Sequence, residues 1–576
     1  MKRMYDKPSV ISSDAKIVYR TFSQSETLEQ FHFKRLSVQT FIPFRKTIMS
    51  QYDSANRTWF GPIQPSIFNP EANIGQVVLS ILSRTPAKII QINADTGYEM
   101  TCAEMKQRII RIALHLKSLG YRLGDLATLA CNNTDNLVPV YFACVTLGIS
   151  VNPLAPVFKR DDLAHMMRLT QSKVVFCDES NRVEVEEAAK EAIRVKPRIY
   201  VMGERKGDAL SVDELLAPVE GEDSFVPPYL GDSKKLTATV LCSSGTTGLP
   251  KGVCLSHSHL IAGELFSAAL NAGPIFNFSP LFWMTGVFAA HTSILYTRSR
   301  VITTKPFTAD TFFSIIERYQ VEDIFTPPST ISAIQSHPSY RTVQMSSVKR
   351  WLIGGSTVAP EMVTSLRERF STIDVKAIYG CSEYGCVTSP MLPNGSLAKN
   401  MTVKITDENG RRLGPNEKGE ICLQYNFKFL GYINNKEMTL NAFDNEGFYK
   451  TGDIGYFDAE GRLYIVDRIK DIIKYMNFQI SPSDLEDIVL KIRGVAQVCV
   501  AGIPTEDRSS ELATAMIVKQ PGSSLSAQEV VDTVNGQVSD YKKLRGGVFF
   551  VDQLPMTPAG KVLRRSVRDM IISGQH

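Results

Sequence analysis

The most chemically loaded stretch of this 576-residue chain is Leu241-Cys242-Ser243-Ser244-Gly245-Thr246-Thr247-Gly248-Leu249-Pro250-Lys251-Gly252, in which four hydroxyls, three glycines and a lysine follow an apolar, strand-like run. Glycine lets the backbone turn its N–H groups inward and approach a ligand closely, hydroxyls add donors, and Lys251 adds positive charge. Together these suit a polyphosphate. The run is not a Walker A loop, which needs Gly-Lys-Ser/Thr, because Lys251 lies between Pro250 and Gly252. A solvent-exposed turn shares the composition, so the loop gains meaning from what accompanies it.

Further candidates follow in order. Gly354-Gly355-Ser356 succeeds the apolar run Trp351–Ile353, where a ligand-contacting loop and a plain strand-to-helix turn both favour glycine. Tyr379-Gly380-Cys381-Ser382-Glu383 carries a carboxylate of the kind that a hard divalent ion takes together with phosphate oxygens. Thr451-Gly452-Asp453, then Asp467-Arg468-Ile469-Lys470-Asp471, then Pro555-Met556-Thr557-Pro558-Ala559-Gly560-Lys561 complete the series. Taken singly, Thr-Gly-Asp is a common turn and Asp-Arg-x-Lys a common solvated charge run. Their order and spacing carry the weight.

In that order the motifs resemble those of adenylate-forming enzymes, a family that includes acyl-CoA synthetases, 4-coumarate–CoA ligases and beetle luciferases. The resemblance covers roughly residues 57–570, and the tail most resembles luciferase-like insect acyl-CoA synthetases. It implies that Ser243, Ser244, Gly245, Thr246, Thr247, Gly248 and Lys251 cradle the phosphates of ATP. It implies adenine contacts from Gly354, Gly355 and Ser356, with Gly355 also bordering the acyl substrate, and stacking of Tyr379 on the base beside Gly380. Ser382, standing where threonine is usual, keeps the hydroxyl for the α-phosphate. Glu383, with Thr247, would hold Mg²⁺, Asp453 would accept from the ribose hydroxyls, and Arg468 would be a second nucleotide contact. Lys470 falls at the family's hinge. Lys561 is the implied catalytic residue of adenylation, its ammonium bridging the attacking carboxylate and the α-phosphate.

Two implied sites concern the acyl group and the thiol. In Pro280-Leu281-Phe282-Trp283-Met284-Thr285-Gly286, Trp283 is the candidate wall or gate of the acyl pocket, an ordinary buried tryptophan being the alternative. Lys474-Tyr475-Met476-Asn477 lies where the family has Lys-x-x-Gly, the segment that brings Lys474 to the site for the second half-reaction. Asn477 replaces the usual glycine. Asparagine tolerates positive φ, but its side chain bears on the pantetheine path and hence on the thioester step rather than on adenylation. Arg564 and Arg565 read as helix-surface charges, and His257 and His291, without identifiable partners, as structural.

The elements that must position these groups have the texture of an α/β protein. A helix is expected near 101–119, with Thr101 and Glu104 as a capping box, Met105, Ile109, Ile112, Leu116 and Leu119 on one face, and Gly120 ending it. Strand-like runs at Leu126–Cys131, Lys173–Cys177, Ala238–Cys242, Trp351–Ile353 and Val375–Ile378 lead into turns and helices, which argues for parallel sheets covered on both faces. After about residue 400, short strands and Gly/Asn/Asp turns suggest a small antiparallel β module to about 468. An α+β tail follows, its first helix opening at Ser481-Pro482-Ser483-Asp484 with Ser481 as cap. The expected organisation is a poorly ordered extension over 1–56, a large AMP-binding domain of α/β subdomains plus the β module over 57–470, and, by the resemblance, a smaller mobile α+β domain over 471–576 that carries the catalytic lysine.

Composition sets the outer bounds. Apolar residues make up 43% and charged residues 21% of the chain, as in an ordinary globular protein. Of the net +5, residues 1–56 hold +4, so a basic nucleic-acid-binding body is not expected. Ten cysteines without a recurring CxxC pair read as small buried side chains in a reducing compartment. The uncharged stretches 137–158 and 271–297 are interrupted by proline and asparagine and read as buried core rather than membrane spans. An intracellular enzyme is expected, peroxisomal by resemblance but ending Ser-Gly-Gln-His rather than in a Ser-Lys-Leu signal, and otherwise cytoplasmic. The expected function is an acyl-CoA synthetase, a monomer or weak oligomer. It would convert a carboxylic acid, ATP and CoA through acyl-AMP to a thioester, with medium- or long-chain fatty acids ahead of aryl acids. The alternatives are a luciferase-like oxygenase and a non-catalytic binding paralogue. Where the luciferases carry a luciferin-contacting arginine, this chain has Gly263.

Overall fold

The apolar stripe around Met105 forms its helix as Cys102–Ser118, with Met105, Ile109, Ile112 and Leu116 buried. Leu119, the expected fifth member, is the C-cap and is 38% exposed. Thr101 caps the other end by accepting the Glu104 N–H at 3.2 Å. The reciprocal half of the capping box does not form. The Glu104 carboxylate turns instead to Arg108, at 2.7 Å, and to the Tyr98 phenol, because a guanidinium one turn along offers a charge-assisted bond.

The computed structural model describes residues 50–64, 69, 72–203, 207–243, 250–262, 273–356, 358, 360–427, 429–476, 478–506, 510–557 and 560–575. Ser244, Gly245, Thr246, Thr247, Gly248, Gly263 and Asn477 lie outside these residues, as do residues 1–49.

Two seven-stranded sheets form the larger part. The first runs Lys251–Ser256, Thr237–Ser243, Ser150–Pro153, Leu126–Ala130, Val174–Cys177, Arg198–Val201, Leu210–Ser211, and the second Asp374–Ile378, Arg350–Gly354, Asp323–Thr326, Ile275–Asn277, Arg300–Ile302, Ile89–Asn93, Glu99–Thr101. Each is parallel except for one antiparallel edge strand, Lys251–Ser256 in the first and Glu99–Thr101 in the second. Between helix-covered faces the inner strands read as continuous apolar runs. The two uncharged stretches supply the helices Leu137–Thr146, wholly buried, and Met284–Leu295, buried from Gly286 onward. Among the described residues no helix is long and apolar enough to cross a membrane.

A third, antiparallel sheet of six strands runs Gln51–Asp53, Thr58–Phe60, Met401–Thr406, Gly419–Tyr425, Tyr449–Phe457, Leu463–Arg468. Its first strand corrects the expected boundary at residue 56, since Gln51–Asp53 pairs with Thr58–Phe60 and Ser50 is buried. Trp59, fully buried, stacks between Tyr52 at 4.6 Å and Phe457 at 4.4 Å, which ties this hairpin into the β module. Strands of three residues carry too few positions to show a period, and the hairpin joins the sheet through Met401–Thr406, far along the chain.

The C-terminal elements are the hairpin Ile473–Tyr475 and Phe478–Ile480, the helix Pro482–Leu490, a three-stranded sheet of Val495–Pro504, Glu511–Lys519 and Val548–Phe550, and the helices Ala527–Asn535 and Arg564–Ser573. Ile473, Leu485, Val500, Ile517 and Val530 meet in a core of their own. Ser481 stands at the cap position of its helix, but its hydroxyl does not cap. It donates to Asp467 Oδ2 at 2.8 Å, and the same oxygen accepts the Ser483 N–H at 3.1 Å. The effective cap is thus a carboxylate from the last strand of the β module, which satisfies an orphan helix donor with a charge.

His257, His259 and His291 are buried, and burial pushes each imidazole down to about 4. The first accepts the Ile74 N–H at 3.2 Å through Nδ1, and His291 Nδ1 lies 2.9 Å from the Val287 carbonyl, so both have the structural partners that the sequence did not reveal. Neutral when folded and titrating near 6.5 when unfolded, each ring costs stability as pH falls from about 6.5 to about 4, by about 1.4 kcal/mol per pH unit. Chemical denaturation at pH 7 and pH 5 is expected to show a clearly lower midpoint at pH 5, and His291→Gln to reduce that pH slope.

Candidate active site

The hydroxyl- and glycine-rich loop joins two antiparallel strands, with Ser243 directly opposite Lys251 in register. No helix follows the loop at Lys251, in keeping with its departure from the Walker pattern. A second segment closes on the outgoing strand. Leu430 N–H donates to the Cys254 carbonyl at 3.0 Å, Cys254 N–H to Gly431 at 3.0 Å, and Ile433 N–H to Gly252 at 2.8 Å. Gly252 is required there, because a Cβ would stand 2.5 Å from Ile433. This zipper sets the Tyr432 ring 5.0 Å from the Lys251 ammonium, and the Tyr432 phenol donates to Glu383 Oε1 at 2.9 Å. Nothing in the spacing of Leu430-Gly431-Tyr432 advertises this place, and sequence reasoning missed it.

Glu383 lies at the turn of a hairpin, Gly380–Cys381 against Gly385–Cys386, where a Cβ on Gly380 would meet the Gly385 carbonyl at 2.3 Å. Ser382 beside it is half-buried. Glu383 is buried and has no ion-pair partner within 4 Å among the described residues, with Tyr432 engaging only one of its oxygens. A hard divalent ion held mainly by nucleotide phosphates needs one such carboxylate, so the donor chemistry fits Mg²⁺. Thr247, the other expected metal contact, lies outside the described residues.

Gly354 and Gly355 turn out to be small for different reasons. A Cβ on Gly354 would meet the Ile378 carbonyl of the adjoining strand at 2.7 Å, whereas Gly355 has φ +96° and open space around it, next to half-buried Ser356. The adjoining strand delivers Tyr379, whose phenol donates to Asp453 Oδ2 at 2.7 Å. Asp453 is also in register with Arg468 across the β module, and Arg468 Nε reaches Asp453 Oδ1 at 2.9 Å. A carboxylate has about four lone-pair sites, so these two bonds leave acceptor capacity.

Lys561 joins this group from the far end of the chain. Its loop is closed by Thr557 N–H donating to the Lys561 carbonyl at 2.7 Å, and Gly560, at φ +70°, approaches so near to Ser329 that a Cβ would lie 2.7 Å from its Oγ. Burial, and then the like charge of Arg468, hold the Lys561 ammonium below the usual lysine range, against Asp453 and Asp471. Lys251 is lowered chiefly by burial, and it feels Glu383 on one side and Lys470 and Arg468 on the other. Lys251, Arg468, Lys470 and Lys561 therefore converge with Glu383 and Asp453. Lys470 sits in the tight turn that follows the β module, where Asp471 N–H donates to the Arg468 carbonyl at 3.0 Å.

Two expected residues lie elsewhere. Lys474 is exposed on the Ile473–Tyr475 strand, its backbone N–H on Glu511 at 3.0 Å. Trp283, half-buried, is the N-cap of Met284–Leu295 and meets Phe282 edge-to-face at 4.9 Å. Arg564 is a correction. It is not a surface charge but is inserted against Glu486, the Val500 carbonyl and, at 3.6 Å, Asp471, whereas Arg565 is exposed. The first helical turn points one arginine inward and the next outward, a choice that sequence spacing alone does not make.

Two family models match the chain. The AMP-binding enzyme model matches residues 81–433, and the AMP-binding enzyme C-terminal domain model matches residues 484–561. The chain belongs to the AMP-binding enzyme family, the adenylate-forming enzymes. It is 28% identical over 542 residues to "Probable 4-coumarate–CoA ligase 1" of Dictyostelium discoideum, covering 89% of this chain and 98% of that one. It is 28% identical over 508 residues to the luciferin 4-monooxygenase of Luciola mingrelica, covering 83% and 91%. Among solved structures, the luciferase-like enzyme from the nonluminescent Zophobas morio mealworm matches with a TM-score of 0.66 at 25% identity, over 72% of this chain and 99% of that chain.

Removing Arg564 leaves the largely buried Glu486 carboxylate unpaired, a change that costs about 3 kcal/mol. Arg564→Met is expected to destabilise the C-terminal elements by about that amount, read by hydrogen exchange over residues 473–570. Arg565→Met should stay within about 0.5 kcal/mol of the parent.

Proposed function

We propose that the protein is an AMP-forming acyl-CoA synthetase for an apolar carboxylic acid, with medium- or long-chain fatty acids as the leading class. The observation that carries this reading is the convergence of Lys251, Arg468, Lys470 and Lys561 with Glu383 and Asp453 from segments spread over some 300 residues. Four cations around two carboxylates fit a triphosphate, with Asp453 facing the ribose hydroxyls and Glu383 the metal. When bound, Mg²⁺ neutralises phosphate charge. Lys561 sits between the incoming carboxylate and the α-phosphate and stabilises the charge that develops as the acyl–phosphate bond forms and pyrophosphate leaves. Tyr379 and the open turn at Gly355 are the candidate adenine surface.

The second half-reaction would bring exposed Lys474 into the cleft by rotation about Lys470, with the CoA thiol attacking the acyl carbonyl and AMP leaving. The ligase relatives support CoA as the acceptor. The half-buried Trp283, at the mouth of a helix without charged residues, supports an apolar acyl pocket.

ATP–pyrophosphate exchange across a panel of carboxylic acids, repeated as a thioester assay with CoA, tests the reading. Lys561→Ala is expected to lower acyl-adenylate formation at least a hundredfold while leaving ATP affinity within a few-fold. Unchanged adenylation in that variant would overturn the role given to Lys561. Exchange without thioester would assign the defect to Asn477, and light from ATP, oxygen and luciferin would favour an oxygenase instead.

A further inference from the structure

We propose that Tyr432 is a positioning residue that couples the phosphate-binding and metal-binding halves of the site, its phenol orienting the Glu383 carboxylate while its ring face seats the Lys251 ammonium. The proposal deepens the proposed function and rests on its placing of Glu383 at the metal and Lys251 at the phosphates.

Three independent features fix the side chain. Its backbone is zipped to the strand that leaves the phosphate loop, through the hydrogen bonds of Leu430 and Ile433 and the bridge between Val253 and Tyr432. Its own N–H donates to Thr439 Oγ1 at 2.9 Å, and a Cβ on Gly431, at φ +111°, would meet Thr439 at 2.7 Å. Its ring packs edge-on against Phe429 at 5.1 Å. The residue is 8% exposed, so its bond to Glu383, its longer contact with the Tyr449 phenol at 3.5 Å and the approach of Lys251 to its ring act where water competes little.

The chemistry of each contact is directional. A phenol keeps its proton at neutral pH, and at 2.9 Å from Glu383 Oε1 it acts as the donor. A donor on Oε1 leaves the opposite carboxylate oxygen to face a cation. The ring at 5.0 Å attracts the Lys251 ammonium without neutralising it, as a carboxylate there would. A carboxylate in contact with Lys251 would cancel the charge meant for phosphate. A ring avoids that cost.

The test is a double-mutant cycle read by binding. Mn²⁺ is titrated by electron paramagnetic resonance into enzyme with ATP, and AMP binding is measured separately in excess EDTA. Tyr432→Phe keeps the ring and removes the donor, and it is expected to weaken Mn²⁺ binding roughly tenfold with AMP affinity unchanged. Glu383→Gln should weaken Mn²⁺ at least as much, and the double variant no further than Glu383→Gln alone, because Tyr432 acts through Glu383. Tyr432→Leu should additionally weaken inorganic pyrophosphate as an inhibitor of the exchange reaction, which Tyr432→Phe should not. Additive losses in the double variant, or Mn²⁺ binding unchanged in Tyr432→Phe while Glu383→Gln loses it, would overturn the proposal and leave the site assignment standing. Mn²⁺ binding unchanged in Glu383→Gln would overturn both. Should Tyr432→Leu fail to fold, the cycle with Tyr432→Phe decides the matter alone.

Discussion

Asp453 is the carboxylate on which the rest of the site depends. Buried at 5% exposure, it must be hydrogen-bonded and paired, and its two partners come from different parts of the fold. Tyr379 reaches it from the end of the edge strand Asp374–Ile378 of the second sheet, and Arg468 from the opposite strand of the β module. The local backbone serves this placement. Gly452 adopts φ +72°, the Asp453 N–H is held by Thr451 Oγ1 at 3.0 Å, and the ladder shifts register just beyond, between Ile454 and Gly455. One carboxylate thereby aligns two sheets and leaves Lys561 a place against Arg468.

Around it, a chain with little net charge outside its first residues gathers positive charge locally. Burial in a low-dielectric cleft magnifies each interaction and makes like charges costly, as the lowered Lys251 and Lys561 show. At the edge of the cluster, Asp467 spans the turn that carries Lys470, bonded on one side to its own strand and on the other to Ser481 and Ser483. These buried bonds tie the C-terminal elements to the β module across the turn of Lys470, so the turn is a clasp.

Much of this was legible in the residues. The strand runs at 126–131, 173–177, 238–242, 351–353 and 375–378 all form strands within a residue or two, because unbroken apolar runs bounded by turns have few other ways to be buried. Of the motif residues, Asp453 and Arg468 are in contact, with Lys561 in electrostatic reach of both and Lys251 in reach of Glu383 and Arg468. What escaped has a common cause. The pairing of the Thr58–Phe60 strand with Met401–Thr406, the bond from Tyr432 to Glu383, the cap that Asp467 lends to a helix beyond it, and the inward turn of Arg564 each depend on a partner remote in sequence. Local pattern carries no information about such pairs. The half-formed capping box at Thr101 and Glu104 shows the same limit at short range, where Arg108 and Tyr98 competed for the carboxylate.

The amino-acid sequence by itself determined which side chains are chemically able to handle a nucleotide and which segments become helices and strands. Both follow from residue type and local period, which act over a few neighbouring positions. Only the tertiary structure decided which oxygen of Asp453 meets Tyr379, that an aromatic ring rather than a carboxylate faces Lys251, and that the loop of Lys561 stands against Ser329. Those outcomes depend on distances across the fold, and distances exist only once the sheets have packed.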